Sequence, residues 1–200
     1  YKRQFDINQE FQYQNTLKAT SRAASFAADL CVVSGDQSLD SVTLEDGQEG
    51  LLLDINDKSV MYAKGAYDKV YPASITKLMT ALLVAENCSL DDKVTFSATA
   101  TTNLEAGAVS INMTAGDVMT VRQCLYALLL KSANEVGNAL AEHVAGSNAK
   151  FAEMMNAKAA ALGCTNTHFT NPHGLNDSNH YTTPHDMALI ARAAFQNDVV

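Results

Sequence analysis

The sequence predicts an α+β protein in which an antiparallel sheet is flanked by helices. Strand-like apolar runs separated by turn residues occur only before residue 65, and helical patterns dominate from residue 74 onward. An isolated hairpin is marginally stable in water, and three or more strands are usually needed for a stable sheet. We therefore expect the chain to contain an incomplete sheet that is covered by helices.

The strands are predicted near the beginning of the chain. Residues 1–45 are polar and weakly patterned and are predicted to be a lead-in, with one candidate short strand in the run LCVV at 30–33. The runs GLLLDI and SVMYAK are separated by NDK, which is turn chemistry, and they predict a β-hairpin over 50–64. The acidic segment LEDGQEG at 44–50 is predicted to be a solvated turn.

Helices account for most of the remaining chain. Residues 74–87 are apolar and rich in good helix formers, and they predict the first helix. Residues 88–119 are rich in Ser, Thr, Gly and Asn and are predicted to be irregular. The later helix ends are marked by residues that favour capping positions: Thr120, Ser147 and Pro184 at starts, Gly146 and Gly163 at stops.

Composition excludes some function classes. The chain has 200 residues, is 47% hydrophobic and carries a net charge of -8. Nucleic-acid binding is not expected, because phosphate contacts need clustered Lys and Arg. The four cysteines (Cys31, Cys88, Cys124 and Cys164) form no CxxC pair, and we interpret them as small buried hydrophobes rather than a disulfide framework.

The first helix contains a serine and a lysine three residues apart, in VYPASITKLMT at 70–80. At helical spacing Ser74 and Lys77 would share one face, about 5–6 Å apart at Cβ. A lysine with a lowered pKa can take the proton of a serine hydroxyl, and the free N–H groups of a helix start can stabilise an oxyanion. A capping serine and a solvated lysine would give the same pattern, which by itself favours that simpler interpretation.

A second motif, KSANE at 131–135, favours the catalytic interpretation of Ser74 and Lys77. Ser132 and Asn134 lie between two apolar helical stretches, where turn residues are also expected. However, S-x-x-K followed by S-x-N is the pairing found in β-lactamases and penicillin-binding proteins. In such a site a second serine can relay a proton, and an asparagine amide can hold a peptide group of the substrate.

Several ordered blocks carry a more specific resemblance, among them YPASITKLMTALL, LLLKSANEVGNALAEHVAG, FTNPHGLND and HYTTPHDMALIARAAF. Across about residues 48–197 the chain resembles the serine D-alanyl-D-alanine carboxypeptidases, the low-molecular-mass penicillin-binding proteins of bacterial cell-wall metabolism. The resemblance implies the β-lactamase/penicillin-binding-protein (serine acyl-transferase) fold. Residues 46–200 would then be a partial transpeptidase-like catalytic domain, with an all-helical lobe over approximately 88–183.

The resemblance also implies roles for four residues. Ser74 would be the nucleophile and its backbone N–H one half of the oxyanion hole. Lys77 would be the general base, Ser132 the proton relay, and Asn134 a contact for substrate and lysine. The absence of an E-x-x-L-N block in 150–180 favours Lys77 as the base, and favours a carboxypeptidase over a β-lactamase.

The implied substrate is the terminal D-Ala-D-Ala of a peptidoglycan stem peptide, and β-lactam antibiotics would acylate the same serine. The implied location is extracytoplasmic, at the cell envelope or secreted, and no cofactor is expected. Two alternatives stay open: a serine β-lactamase or esterase of the same fold, and a non-catalytic penicillin-recognising wall protein.

The chain departs from the family pattern at one point, because it contains no K-T-G motif. The resemblance places that motif and the remaining strands a few dozen residues beyond position 200. We therefore expect the chain to be a fragment, or to pair with its missing part as a separate chain, and to be poorly active alone. Peripheral membrane association would depend on that absent C-terminal region.

Four histidines fall within 18 positions: His168, His173, His180 and His185. Zinc binding is a competing interpretation for them, but no pair has the H-x-x-x-H spacing of one helical turn. We favour polar loop residues, with His173 belonging to the HGL turn of the family, and we expect no metal.

Overall fold

The computed structural model describes residues 33–57, 59–102, 104–105 and 107–200. The lead-in up to residue 32, including most of the candidate strand LCVV, lies outside the described residues. The last residue of that run, Val33, is buried against Ala63 and Ala66 without strand geometry.

The predicted β-hairpin is confirmed. Strands β1 (Gly50–Asp54) and β2 (Ser59–Lys64) pair antiparallel, with an irregular register between Leu52 and Leu53. In the connecting turn, the Asp54 carboxylate accepts the backbone N–H groups of Asn56 and Asp57, at 2.8 and 3.0 Å. An isolated bridge between Gln37 and Ala63 adds to the other edge of β2.

The first helix begins later than its sequence predicts. A 3₁₀ turn over Ala73–Thr76 precedes helix α1 (Lys77–Asn87). Ser74 therefore lies in the tighter turn, while Lys77 opens the α-helix. Two features accompany this later start: Ala73 adopts a positive φ of 47°, and Gly174 packs against the Ala73 carbonyl.

Residues 88–119 are more ordered than predicted. They contain strand β3 (Lys93–Thr95) and the short helix α2 (Ala98–Thr102), and β3 pairs antiparallel with strand β4 (Val118–Thr120). The two strands are three residues each, and their pairing joins segments about 25 positions apart. A local sequence pattern therefore gives little signal for them.

Four longer helices complete the described fold: α3 (Val121–Leu130), α4 (Asn134–Ala145), α5 (Asn148–Ala161) and α6 (Pro184–Phe195). Their capping residues act as predicted. The Thr120 side chain accepts the backbone N–H of Gln123 in a full capping box, and Ser147 accepts that of Lys150. Gly146 ends α4 in the left-handed conformation, and Pro184 occupies the first turn of α6.

Helix α1 is the centre of the hydrophobic core. It packs against α3, α4, α5 and α6, and its side chains from Met79 to Val84 are buried. Burial of this kind is worth roughly 25 cal/mol per Å² of apolar surface. The polar residues at the start of α1 are consequently held by a rigid core. Among the described residues, no helix is both long enough and apolar enough to cross a membrane.

Candidate active site

The amine of Lys77 lies at the centre of a hydrogen-bond network. Its Nζ atom is 3.1 Å from Ser74 Oγ, 2.9 Å from Asn134 Oδ1 and 2.9 Å from the backbone oxygen of His173. The Lys77 residue is 3% exposed, whereas Ser74 is open to solvent. The structure thus connects an accessible hydroxyl to a buried amine.

The surroundings of Lys77 raise the neutral fraction of its amine above that of a solvated lysine. Burial lowers the pKa of Lys77 to about 8, and no carboxylate of the described residues lies within ion-pair distance of it. The Asn134 and His173 oxygens can only accept hydrogen bonds. A neutral amine therefore donates its two hydrogens to them and turns its lone pair toward Ser74 Oγ. In this arrangement Lys77 can accept the proton of Ser74.

Ser132 lies on the other side of the Ser74 hydroxyl. The two Oγ atoms are 3.0 Å apart, with Ser132 as donor. Both hydroxyls border a cleft that also contains the Lys77 side chain. The remaining lining of the cleft is apolar and comes from the 3₁₀ turn, the first turn of α1 and α3: Ile75, Leu78, Leu128 and Leu129. An acyl group on Ser74 would therefore meet a hydroxyl, an amine and an apolar wall.

The backbone is strained at two points of the site. Ala73, just before the exposed hydroxyl, has a φ of 47°, and Ser132 has a φ of 58°. Left-handed conformations of residues other than glycine cost of order 1–2 kcal/mol each. Such conformations persist only when surrounding contacts determine them, so packing must hold both segments in place.

Gly174 supplies that packing for Ala73. The φ of Gly174 is +85°, and a Cβ added there would overlap the carbonyl group of Ala73 and lie 2.8 Å from Thr76 Oγ1. Only glycine lets the two backbones approach this closely. The HGL turn therefore acts as a backbone support for the turn that carries Ser74.

The loop around Gly174 is itself fixed by side-chain hydrogen bonds. The Asn171 side-chain oxygen accepts the N–H groups of His173 at 3.2 Å and Gly174 at 2.7 Å. Thr80, one turn into α1, donates its hydroxyl hydrogen to the Pro172 carbonyl at 2.6 Å. The loop is thus tied to α1 at the point where its His173 oxygen meets the lysine.

Asn134 is held in position by the segment around Val109, which precedes α3 in the sequence. Its backbone N–H and its side-chain Nδ2 both donate to the Val109 carbonyl, each at 3.0 Å. The next residue, Glu135, is 1% exposed, and its Oε1 accepts hydrogen bonds from Ser110 Oγ and the Ile111 N–H, both at 2.6 Å. Glu135 therefore orders the segment whose carbonyl orients Asn134 toward Lys77.

His180 ties the 3₁₀ turn to the loop. Its Nδ1 accepts the Thr170 N–H at 3.1 Å, so the ring proton is on Nε2, which lies 2.8 Å from Thr76 Oγ1. Burial lowers the pKa of His180 to about 4. Burial and the charge of Lys77 lower the pKa of His173 to about 4 as well. Both rings are consequently neutral at pH 7.

All four sequence-predicted residues, Ser74, Lys77, Ser132 and Asn134, come together in this site. Whether Asn134 also contacts a substrate stays a prediction. The motifs did not identify the residues that hold these four in place: Thr76, Thr80, Asn171, Gly174 and His180. A usable signal was present, since two threonines four positions apart in an otherwise apolar helix indicate a polar contact on a buried face.

The clustered histidines do not converge on one point. Within the described part of the chain, the ligand atoms of His168, His173, His180 and His185 form no group in mutual reach of one metal ion. Two of them, His173 and His180, already use Nδ1 as a hydrogen-bond acceptor.

The cysteines were predicted to be small buried hydrophobes. Cys124 and Cys164 are buried and free, Cys88 is half-buried and free, and Cys31 lies outside the described residues.

Comparison with known proteins gives this site a context. A family model described as D-alanyl-D-alanine carboxypeptidase matches residues 40–200. The D-alanyl-D-alanine carboxypeptidase DacF of Bacillus subtilis is 35% identical over 152 residues, which cover 74% of this chain and 38% of that protein. DacB2 of Mycobacterium tuberculosis is 35% identical over 167 residues, which cover 82% of this chain and 56% of that protein.

A solved structure agrees with the fold. The crystal structure of the D-alanyl-D-alanine carboxypeptidase DacD from Francisella tularensis superposes with a TM-score of 0.72 at 31% identity, and covers 90% of this chain and 43% of that one. The predicted fold class is therefore confirmed. The chain spans about two fifths to just over half of the length of the curated relatives described above.

The contact between Gly174 and Ala73 can be tested by substitution. We expect Gly174→Ala to lower the free energy of unfolding by about 1–3 kcal/mol more than Gly146→Ala, because both positions have a positive φ but only Gly174 faces another backbone. The measurement is denaturant unfolding of both variants. Equal losses in the two variants would show that the close approach is not needed.

The two buried histidines, His173 and His180, predict that the free energy of unfolding falls as the pH is lowered from 6.5 to 4. Their folded-state pKa of about 4 lies below the unfolded value of 6.5, so the unfolded chain binds more protons as the pH falls from 6.5 to 4. Each ring should then cost up to about 1.4 kcal/mol of stability per pH unit in this window, with the full contribution present above pH 6.5. Denaturant unfolding across this range measures it. His180→Gln should reduce the number of protons taken up on unfolding in this window by close to one; an unchanged proton uptake in His180→Gln contradicts this assignment.

Proposed function

The chain belongs to the D-alanyl-D-alanine carboxypeptidase family, and from that premise we propose that it carries the nucleophile and the general base of a serine D,D-carboxypeptidase site. The substrate would be a peptidoglycan stem peptide that ends in D-Ala-D-Ala. The observation that carries the proposal is the buried Lys77 amine, which has acceptor-only partners on two sides and the exposed Ser74 hydroxyl on the third.

Acylation would begin with a proton transfer. The Lys77 lone pair takes the Ser74 hydroxyl proton while Oγ attacks the carbonyl carbon of the penultimate D-Ala, and the C=O π electrons move to the oxygen. The backbone N–H of Ser74 is one donor to the resulting oxyanion. An ammonium is the immediate product at Lys77, in a site whose burial disfavours that charge.

The proton would then leave through Ser132. Its hydroxyl gives a proton to the nitrogen of the terminal D-Ala as the C=O bond re-forms and the C–N bond breaks. It would regain a proton directly from the Lys77 ammonium, because the acylated Ser74 Oγ carries no proton to pass on. The products are free D-Ala and an ester between the peptide and Ser74. Water, deprotonated in the same way, would attack that ester, release the shortened peptide and restore the Ser74 hydroxyl.

A β-lactam would enter the same sequence of steps. Attack of Ser74 on the lactam carbonyl opens the ring C–N bond, but the nitrogen stays attached to the acyl group. The leaving group therefore does not diffuse away, which supports a long-lived acyl-enzyme.

We also propose that the protein acts at the cell envelope, where peptidoglycan is located.

Fluorescent penicillin tests the proposal. We expect the complete gene product that contains this chain to be labelled covalently, and Ser74→Ala to abolish the label. Ser38→Ala is the matched control, because Ser38 is exposed, lies outside the cleft and should leave labelling intact. Release of D-Ala from a stem-peptide mimic would support the carboxypeptidase directly.

Three other outcomes would overturn the proposal. Rapid turnover of the penicillin with no release of D-Ala favours the β-lactamase alternative. Absence of any label in the folded wild-type protein favours a non-catalytic role. Labelling that persists in Ser74→Ala shows that another residue is the nucleophile.

The pKa of Lys77 predicts how acylation depends on pH. The neutral fraction of an amine with a pKa of about 8 rises as the pH rises, so we expect the acylation rate to increase about tenfold per unit below pH 8 and to level off above it. Stopped-flow labelling between pH 6 and 9 measures this. Lys77→Arg, which stays protonated, should be inactive throughout; a flat profile in the wild type would exclude Lys77 as the base.

A further inference from the structure

Three metal-ligating side chains meet at the far end of α1 from the Ser74 cleft. The Cys88 sulfur, an Asp92 carboxylate oxygen and a ring nitrogen of His143 all lie within 4.8 Å of one another. Lys77 opens α1 and Cys88 follows its last residue, so the two groups are separated by the length of an 11-residue helix, roughly 16 Å. This cluster is therefore distinct from the proposed catalytic site.

Backbone contacts fix two of the three ligands. The Cys88 N–H donates to the Val84 carbonyl at 3.0 Å and so continues the hydrogen bonding of α1. Asp92 Oδ2 accepts the Ser89 N–H at 2.9 Å, and the Asp92 backbone carbonyl accepts the Val121 N–H at 2.9 Å. The turn from 88 to 92 is thus already hydrogen-bonded without a metal ion. The other carboxylate oxygen of Asp92, Oδ1, is the one that could bind a metal.

His143 approaches from a different element. It lies in the last turn of α4, and its ring is exposed. Tetrahedral zinc, with bonds of about 2.0–2.3 Å, holds its ligand atoms about 3.5 Å apart. The separations between the three ligand atoms would need to contract by at most about 1.3 Å, and rotation of an exposed imidazole side chain can supply this at little energetic cost.

The chemistry of the three donors selects a metal. Thiolate sulfur, imidazole nitrogen and carboxylate oxygen together are the ligand types of Zn²⁺, whereas Mg²⁺ and Ca²⁺ prefer oxygen alone. One thiolate and one carboxylate would neutralise a divalent ion. A reactive-cysteine role fits less well, since burial and the Asp92 charge raise the pKa of the Cys88 thiol instead of lowering it.

We propose that Cys88, Asp92 and His143 bind a Zn²⁺ ion, with water in the fourth position. The bound ion would join the end of α1 to the end of α4. The opposite ends of these two helices carry Lys77 and Asn134, which are joined by a hydrogen bond of 2.9 Å. The metal would therefore stabilise the helix pair that presents the lysine, and this inference does not depend on the proposed function.

Cobalt provides the direct probe. The complete protein, stripped with a chelator and kept reduced, is titrated with Co²⁺. We expect one equivalent to give a thiolate-to-cobalt charge-transfer band in the near ultraviolet together with intense tetrahedral d–d bands, and Zn²⁺ to displace it. Thermal unfolding in the presence of Zn²⁺ should show a raised midpoint.

Matched variants identify the ligands. Cys88→Ser should remove the charge-transfer band, and Asp92→Asn and His143→Gln should each weaken Co²⁺ binding at least tenfold. Asp91→Asn and His168→Gln change the same residue types at exposed positions outside the cluster and should leave binding unchanged. Far-UV circular dichroism checks that each variant is folded.

The proposal would be overturned by any of three results. These are the absence of a charge-transfer band in the folded, reduced wild type at millimolar Co²⁺, a band that survives in Cys88→Ser, and a loss of affinity in His168→Gln as large as in His143→Gln. The last result would place the metal among the histidines of the 168–185 loop instead.

Discussion

The Lys77 amine is buried where three segments distant in sequence meet, and no negative charge of the described residues compensates it. Each segment supplies one polar partner: Ser74 from the 3₁₀ turn, Asn134 from the start of α4, and the His173 carbonyl from the loop before α6. Burying an amine is costly unless its hydrogens are satisfied and its charge is reduced. The rest of the site is organised to meet these two conditions.

Rigidity is the first requirement, because misplaced acceptors would leave the amine unsatisfied. Around Lys77 the acceptors are fixed by contacts that have no direct chemical role. Gly174 supports the backbone of Ala73, Thr80 holds the loop through Pro172, and Glu135 orders the segment that orients Asn134. The strained backbone conformations of Ala73 and Ser132 persist only because surrounding contacts hold them. The two helices that carry Lys77 and Asn134 extend this rigidity to their opposite ends, where Cys88 and His143 lie.

Electrostatics within the site is governed by the exclusion of water. The same burial lowers the pKa of Lys77, His173 and His180. For the lysine this favours the form that can accept a proton, and for the histidines it favours the neutral tautomers that the hydrogen bonds with Thr170 and Leu175 require. One physical cause thus prepares the base and stabilises the loop that contacts it. It also makes both sensitive to acid, since protonation would break the contacts that close the loop.

The sequence by itself determined the elements whose signals are local. The NDK turn specified the hairpin, the N-cap residue Thr120 specified the start of α3, and the spacing of S-x-x-K and S-x-N identified the four residues of the candidate site. Only the tertiary structure decided which interpretation of Lys77 holds, because a solvated lysine and a buried one have the same sequence pattern. It also decided the 3₁₀ geometry at Ser74, the pairing of β3 with β4, and the meeting of Cys88, Asp92 and His143. Each of these depends on contacts between segments tens of residues apart, and burial at such contacts, rather than local preference, sets their conformation and charge.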